Sequence, residues 1–562
     1  VAGHLEQEAS KPMNAKSILG AFVALACSGG RALAADPQQA WRTARANGAV
    51  VNEIFVRTRS MLRAWLTTAD RKTLLLPDRV AGCLFGKWDG IPIYTPHNSG
   101  ADNYPYLIVT SYLTDPELYR GRMAEMLRSE VRYTDVGGGK IPGNLRLDTH
   151  ELGPPSFFGA GEYCKDGMVA VTELLGRTRW YYRMVDMTED FLNRAPVKTR
   201  WGNLPDSGAE LNGDVLQTLG RLIPMTGDRR FLRWAEQIGD AYIEEILPRS
   251  NHLPTARYDF EKRLPSETAG LGDHGNEAIV GLVLLQAIES ELGLPRGESY
   301  RPVLRKVLDR VLETANPDGF IYRGIRVADL KVTNTWLTDC WGYVYSSMYA
   351  YYQATGEEKY RAAVLRVLRN LAKYRDYDWT RPANTVDDLA DSIEGAIYLV
   401  AYEPVPEAEA WIDHSVRKMF GYQKPDGFIE RWYGDGNWNR TLLLYALMKT
   451  QGCHLKTWQP GVELGAVPDG RTLYVTVHSP KPWRGKVVFD YARHRRVMNL
   501  RKNYARLNQW PEWYSVDENT LYTVRDAETN EEQTLLGSDL KSGYPVTIAA
   551  GQTRRLAVAP AR

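Results

Sequence analysis

Between residues 38 and 452 the chain alternates two kinds of apolar pattern. One is apolar nearly all round, as in Ala278-Ile279-Val280-Gly281-Leu282-Val283-Leu284-Leu285, and predicts a helix covered on both sides. The other sets one apolar stripe beside charged positions, as in Glu358-Lys359-Tyr360-Arg361-Ala362-Ala363-Val364-Leu365-Arg366, and predicts a helix with one wet face. The two kinds follow each other across short turns: 211–222 and 231–246 across Thr226-Gly227-Asp228, 340–354 and 360–374 across Thr355-Gly356-Glu357, 106–113 and 117–131 across Thr114-Asp115-Pro116. In each turn a Thr or acidic residue is placed to cap the second helix. Helices covered on both sides start near 103, 167, 211, 276, 339, 388 and 438, and the segment 38–68 supplies an outer partner for the last. Six or seven hairpins in two concentric rings satisfy both patterns. A linear helical solenoid is the rival, but its repeats stay short and even, whereas the loops 132–165 and 250–275 have the length of walls around a cleft.

Past Cys453 the period changes to two, in 471–477, 486–490 and 544–548, with Pro and Gly between the runs. The expected organisation is an (α/α)6 or (α/α)7 toroid over 36–455, followed by a small antiparallel β-sandwich over 460–562. Residues 1–35 read differently: an upstream extension, then from Met13 a leader with Lys16, an apolar stretch 18–27 and an Ala32-Leu33-Ala34 cleavage signal. A lipoprotein reading at Cys27 ranks second, because Ala24 stands where a larger apolar residue is usual. Export to the periplasm or the medium is the expectation. No later segment is long and apolar enough to span a bilayer.

Composition narrows the partners. Lys and Arg total 70 against 68 Asp and Glu, a net charge of +2, and no basic run tracks a phosphate backbone, so nucleic acid is excluded as a partner. The 32 Tyr and 16 Trp outnumber 12 Phe, which suits surfaces that meet sugar rings, although packing explains most individual aromatics. Five cysteines lie far apart with no C-x-x-C, so zinc-finger and thioredoxin-like readings fall, while one or two disulfides stay open. No H-E-x-x-H, EF-hand, Walker, dinucleotide or G-x-S-x-G motif occurs, and neither metal nor cofactor is expected.

The hairpin grammar, the paired Pro-Asp-Gly-Phe turns at 317–320 and 425–428 and the loop Gly434-Asp435-Gly436-Asn437-Trp438-Asn439 resemble the carbohydrate-active (α/α) barrel enzymes. These are six-hairpin glycosidases and the alginate-lyase- and heparinase-like toroids with a C-terminal β-sandwich. The resemblance is architectural, over about 40–555, and implies a carbohydrate-active enzyme; it transfers no catalytic residue.

Candidates therefore come from chemistry and position. Glycoside hydrolysis needs a carboxylic acid and a second carboxylate, and polar residues at the starts of the buried helices supply them. Asp273, His274 and Glu277 precede the most apolar helix. Asp388, Asp391 and Glu394, with Asp387, place acids on one helical stripe, where like charges raise a carboxyl pKa. Glu430 opens an aromatic loop in which Arg431 and Arg440 can fork onto an oxyanion and Trp432 and Trp438 can stack on sugars. Asp102, Tyr104, Glu162, Tyr163 and Trp336 are further substrate-binding candidates by position. For each cluster the bland reading is helix capping or a structural plug. The leading function is a secreted glycoside hydrolase, inverting because a broad cleft leaves room for a water. The alternatives are a polysaccharide lyase, with His274 or His150, a Tyr such as Tyr104 or Tyr163, and Arg431, and a non-catalytic glycan-binding protein.

Overall fold

In the computed structural model of the chain, residues 36–86, 88–272 and 274–561 are described. Segments covered on both sides form an inner ring of seven. They are Tyr104–Thr114, Phe157–Glu162 continued by Tyr163–Met168 and Val169–Leu175, Ala209–Thr226, Glu277–Glu291, Trp341–Thr355, Val386–Val400 and Asp435–Thr450. Each packs on the next, and the Asp435 helix packs back on the Tyr104 helix, so the ring closes. Seven hairpins, rather than six, make the toroid, and a linear solenoid is excluded by this closure. Amphipathic helices surround it: Pro37–Leu66, Ala124–Thr134, Arg179–Arg194, Arg229–Ala241, Arg301–Thr314, Glu358–Asn370 and Pro406–Phe420. Pro37–Leu66 lies against both the last and the first inner helices.

Capping works as expected in two of the three turns. The Asp228 carboxylate accepts from the Arg230 N–H at 2.8 Å, and the Asp115 carboxylate from the Leu118 N–H at 3.3 Å. Glu357 does not cap; the Thr355 hydroxyl accepts its N–H instead, at 3.3 Å. Glycine sets how tightly the inner helices meet. A Cβ on Gly213 would lie 2.1 Å from the Glu277 carbonyl carbon, and one on Gly342 would lie 2.4 Å from Gly395 Cα. Small residues there let adjacent backbones touch.

Inner-to-outer turns are short, while the outer-to-inner connections 67–95, 135–156, 195–208, 250–276, 315–340, 371–385 and 421–434 are long. All the long loops therefore gather at the face where inner helices begin. The inner path at 96–103 and 163–168 is π-helical, and the two segments pack together. The wider turn carries extra residues around to the axis, a device common at functional sites.

From His454 onward the chain is β. Glu463–Asp469, Thr472–His478, Thr553–Pro560, Leu521–Asp526 and Glu532–Leu536 form a five-stranded antiparallel sheet, with Val475 paired to both Ala466 and Leu556. His454–Lys456, Trp483–Val488 and Tyr544–Ile548 form a second sheet, and Asp490–Tyr491 pairs parallel with Ser515–Val516. The Pro37 helix packs against the strand Glu463–Asp469. The described cysteines Cys83, Cys164, Cys340 and Cys453 are all free, so the disulfides left open by the sequence do not form among them. No helix of the described residues is long and apolar enough to cross a membrane. The leader assigned to residues 1–35 lies outside the described residues.

The β part closes the far end of the ring. Residues 504–511 are all buried, and this stretch lies against the C-terminal ends of the inner helices. The Trp510 indole donates to the Ala170 carbonyl at 2.9 Å, Tyr402 donates to Gln509 at 2.7 Å, and Ala505 N–H donates to Gln353 at 2.8 Å. At its centre Glu173 receives Arg221 at 3.0 Å and Arg506 at 2.6 Å, with all three side chains buried. Removing the middle charge strands two guanidinium groups in a dry interior. Glu173→Gln is expected to cost about 3–5 kcal/mol in urea unfolding; a loss below about 1 kcal/mol would show that this triad does not lock the plug.

Candidate active site

The long loops and inner-helix starts enclose one cavity of about 510 Å³, within the range of small-ligand sites. Every inner segment contributes a polar lining residue. Asp102 leads into the first, Glu162, Lys165 and Asp166 come from the second, Glu210 from the third and Glu277 from the fourth. Tyr343 comes from the fifth, Asp387, Asp388 and Asp391 from the sixth, and Asn437 and Arg440 from the seventh. His274, His97, Arg79, Phe85, Phe158 and Trp432 come from loops or segment starts around them.

On one wall Lys165 Nζ lies 2.8 Å from Glu277 and 3.0 Å from Asp166, and Gln217 donates to the other Glu277 oxygen at 2.5 Å. Burial raises the Glu277 pKa although Lys165 opposes the shift. Burial also works against the Asp166 charge, but Lys165 and the hydrogen bonds it receives hold its carboxyl below the usual range. Asn508, on the plug from the β part, donates to Asp166 and to the Lys165 carbonyl, both at 3.0 Å. Behind this group Glu162 meets the fully buried Asp214. Burial, then the Asp214 charge, pushes the Glu162 carboxyl well above its ordinary value; burial does the same to Asp214, against the pull of Lys165. Two adjoining carboxyls in a dry site resist ionising together, so burial and their mutual repulsion favour the protonated form of the pair.

On the opposite wall Arg440 reaches Asp391 at 2.5 Å and Glu394 at 2.6 Å. Glu394 also accepts from Tyr343 at 2.7 Å and from Tyr398. Asp391 stays well above its ordinary pKa because burial outweighs Arg440. Arg323 lies 2.6 Å from Asp339 and 3.5 Å from Asp388, and Asn437 donates to Asp387 at 2.7 Å. Asp339, Cys340 and Asp391 bring three potential metal-binding atoms within 4.8 Å. Both carboxylates already face arginines, which supply the positive charge that a cation would bring.

The structure thus brings His274, Glu277, Asp388, Asp391, Asp102, Glu162, Trp432 and Arg440 to one cavity. His274 contacts Glu210 at 2.5 Å. Asp273 lies outside the described residues. The remaining candidates are not among the cavity-lining residues. Glu394 is fully buried behind Arg440. Glu430 accepts from the Val386 N–H at 3.0 Å and the Trp432 indole at 2.9 Å, and so caps the neighbouring helix start. Arg431 is ion-paired to Asp426. Tyr104 donates to the Met123 carbonyl at 2.6 Å, Tyr163 is wholly buried, and the Trp438 indole donates to the Met419 carbonyl at 2.9 Å. Trp336 stands 45% exposed on the strand Val332–Leu337, away from the lining. His150 contacts Asp70 at 3.3 Å, also away from it. Asp214, Gln217 and Asn508 escaped the sequence reading. A charged residue inside an otherwise apolar helix was the available signal for Asp214; Asn508, more than 340 residues from its partners, offered none.

The closed double ring of helical hairpins with its long-loop cavity defines an (α/α)7 toroid. No family model matches the sequence, and no curated protein does either. Among solved structures, an inactive variant of the GH76A α-1,6-mannanase of Salegentibacter sp. HEL1_6 in complex with α-1,6-mannotriose is similar. It shares 12% identity and a TM-score of 0.42, over 58% of this chain and 98% of that one. Cellobiose 2-epimerase from Bacillus thermoamylovorans B4167 shares 11% identity and a TM-score of 0.41, over 58% of this chain and 88% of its own. The unsaturated glucuronyl hydrolase of Bacillus sp. GL1 shares 14% identity and a TM-score of 0.36, over 51% and 84% respectively. Likeness at this level extends to neither residues nor reaction.

The burial of Glu162 beside Asp214 ties stability to pH. Unfolded, both groups release protons near the ordinary value of about 4; folded, one is kept far above it. The stability it contributes is complete below the unfolded pKa and is lost as pH rises through the folded one. Asp214→Asn should flatten this decline when unfolding free energies are compared across a pH series. A wild-type-minus-variant difference constant with pH would show that both carboxyls ionise in the folded state.

Proposed function

We propose that the chain is a glycoside hydrolase acting on a polysaccharide or its oligosaccharides, exported as its leader-like start suggests. The observation that carries this reading is the placing of carboxyl groups on opposite walls of one cavity, with Glu162 on one wall pushed up by burial and by Asp214. Glu162 takes the general-acid role: it lines the cavity, and burial together with Asp214 behind it favours its protonated form. Asp388, across the ring, activates the attacking water, with Asp387 beside it and Arg323 behind it. Phe85 and Phe158 offer flat faces to sugar rings, with the buried Trp432 packed behind Phe85. Water attack from the wall opposite the acid gives inversion at the anomeric carbon. Elimination is the less supported chemistry. Its candidates are only partly gathered: His274 lines the cavity, but Arg431, which would neutralise a uronate, faces Asp426, and His150, Tyr104 and Tyr163 do not line it.

A glycan-panel digest, read by reducing-sugar release and by ultraviolet absorbance, tests the reading. The expected outcome is new reducing ends without a conjugated double bond. Glu162→Gln and Asp388→Asn should each lower kcat by about 10²–10⁴-fold. The alkaline limb of the wild-type pH profile, where the acid loses its proton, should vanish in Glu162→Gln. Absorbing unsaturated products would replace hydrolysis by elimination, and full activity in both variants would remove the assigned roles.

A further inference from the structure

Three cations line the cavity, and two are committed. Lys165 faces Asp166 and Glu277, and Arg440 faces Asp391 and Glu394. Arg79 is different: among the described residues no carboxylate lies within ion-pair distance of it, and its buried Nε has no hydrogen-bond partner. Its sequence neighbour Asp78 is spent elsewhere, accepting from the Thr95 hydroxyl and Asn98 at 2.7 Å each and from the backbone of Thr95 and Ser99. With no carboxylate opposite it and one N–H left without an acceptor, the guanidinium charge is uncompensated in the cavity wall, where an anionic ligand would complete it.

The position of Arg79 is fixed by backbone. Arg79 bridges to Trp432, and the Val80 N–H donates to the Arg431 carbonyl at 3.1 Å, so the arginine belongs to the same wall as the tryptophan. The Phe85 ring centroid lies 6.0 Å from the guanidinium carbon. Gly86, at φ +68°, packs over the group: a Cβ there would be 3.6, 3.7 and 3.8 Å from Nη2, Cζ and Nη1. These near-equal distances place the glycine above the guanidinium plane. Gly86 and Phe85 thus pack against the guanidinium, whose N–H donors are of the kind that bind carboxylate or sulfate oxygens in pairs. Phe85, backed by the buried Trp432 at 4.3 Å between ring centroids, provides an apolar shelf beside it for the ring that carries the charge.

We propose that Arg79 makes the cavity selective for a glycan bearing one oxyanion substituent, a uronate carboxylate or a sulfate ester, held in a subsite with Phe85 and Trp432. This rests on the reading of the cavity as a glycan site. It assigns the anion to the Arg79 wall, because the rest of the lining is dominated by carboxyl groups that repel one.

Binding is measured by calorimetry in the Asp388→Asn background, so that ligand is not consumed. The probes are three matched disaccharides, glucuronate-terminated, 6-sulfated glucose-terminated and plain glucose-terminated. One of the two anionic probes should bind at least about tenfold tighter than the neutral one, and which of them does identifies the substituent. In Arg79→Gln that preference ratio should fall to near one, with Arg79→Lys keeping part of it; if Arg79→Gln does not fold, the lysine variant carries the comparison. Equal binding of all three probes, binding of none, or a preference unchanged by the Arg79 exchange would overturn the proposal. A preference that depends on Arg79, found together with no turnover on any glycan, would sustain this inference while removing the hydrolase reading.

Discussion

The inner helices are covered on both sides, and this constraint governs every charged residue they carry. A carboxylate or guanidinium on such a helix must face the axial cavity or find an opposite charge inside the protein, because an isolated ion in a dry interior is too costly. Both solutions are present. Glu173 lies between Arg221 and Arg506 below the cavity, whereas Glu162, Glu277, Asp388 and Asp391 reach the cavity itself. The same dryness that forces pairing also moves protons, so the lining carboxyls do not titrate alike. Glu162 is pushed up by burial and by Asp214, while Asp166 is held down by Lys165 against burial.

The β part belongs to the same electrostatic scheme. Its buried stretch 504–511 closes the end of the ring that the long loops leave open, and supplies Arg506 to Glu173 and Asn508 to Asp166. A toroid open at both ends would admit water to the floor of the cavity and weaken every ion pair there. Sealing by the plug sustains the low dielectric on which the Lys165–Glu277 contact and the raised Glu162 and Asp214 carboxyls depend.

Much of the ring was legible because burial on both faces and burial on one face leave different repeats. The inner starts expected near 211, 276, 339, 388 and 438 lie within three residues of Ala209, Glu277, Trp341, Val386 and Asp435. The second inner segment begins about ten residues early, at Phe157, since Gly159, Gly161 and Gly167 weaken the helical signal that close packing against Ser156, Leu211 and Pro105 restores. Within the site, a polar residue at a helix start reads the same whether it caps, pairs or faces the cavity. Glu430 and Glu277 both stand at such starts, but the Val386 N–H and the Trp432 indole claim the first, and Lys165 and Gln217 hold the second at the cavity.

Apolar periodicity, the turn residues and the change of period after Cys453 determined the sequence of elements, because these are local properties of the chain. Tertiary structure decided the number of hairpins in the closed ring, the plugging of its floor and the pairing of every buried charge. Those depend on groups hundreds of residues apart, such as Asn508 and Asp166 or Arg440 and Tyr106. Electrostatic energy in a dry interior is set by distance in space, and no local pattern of residues records that distance.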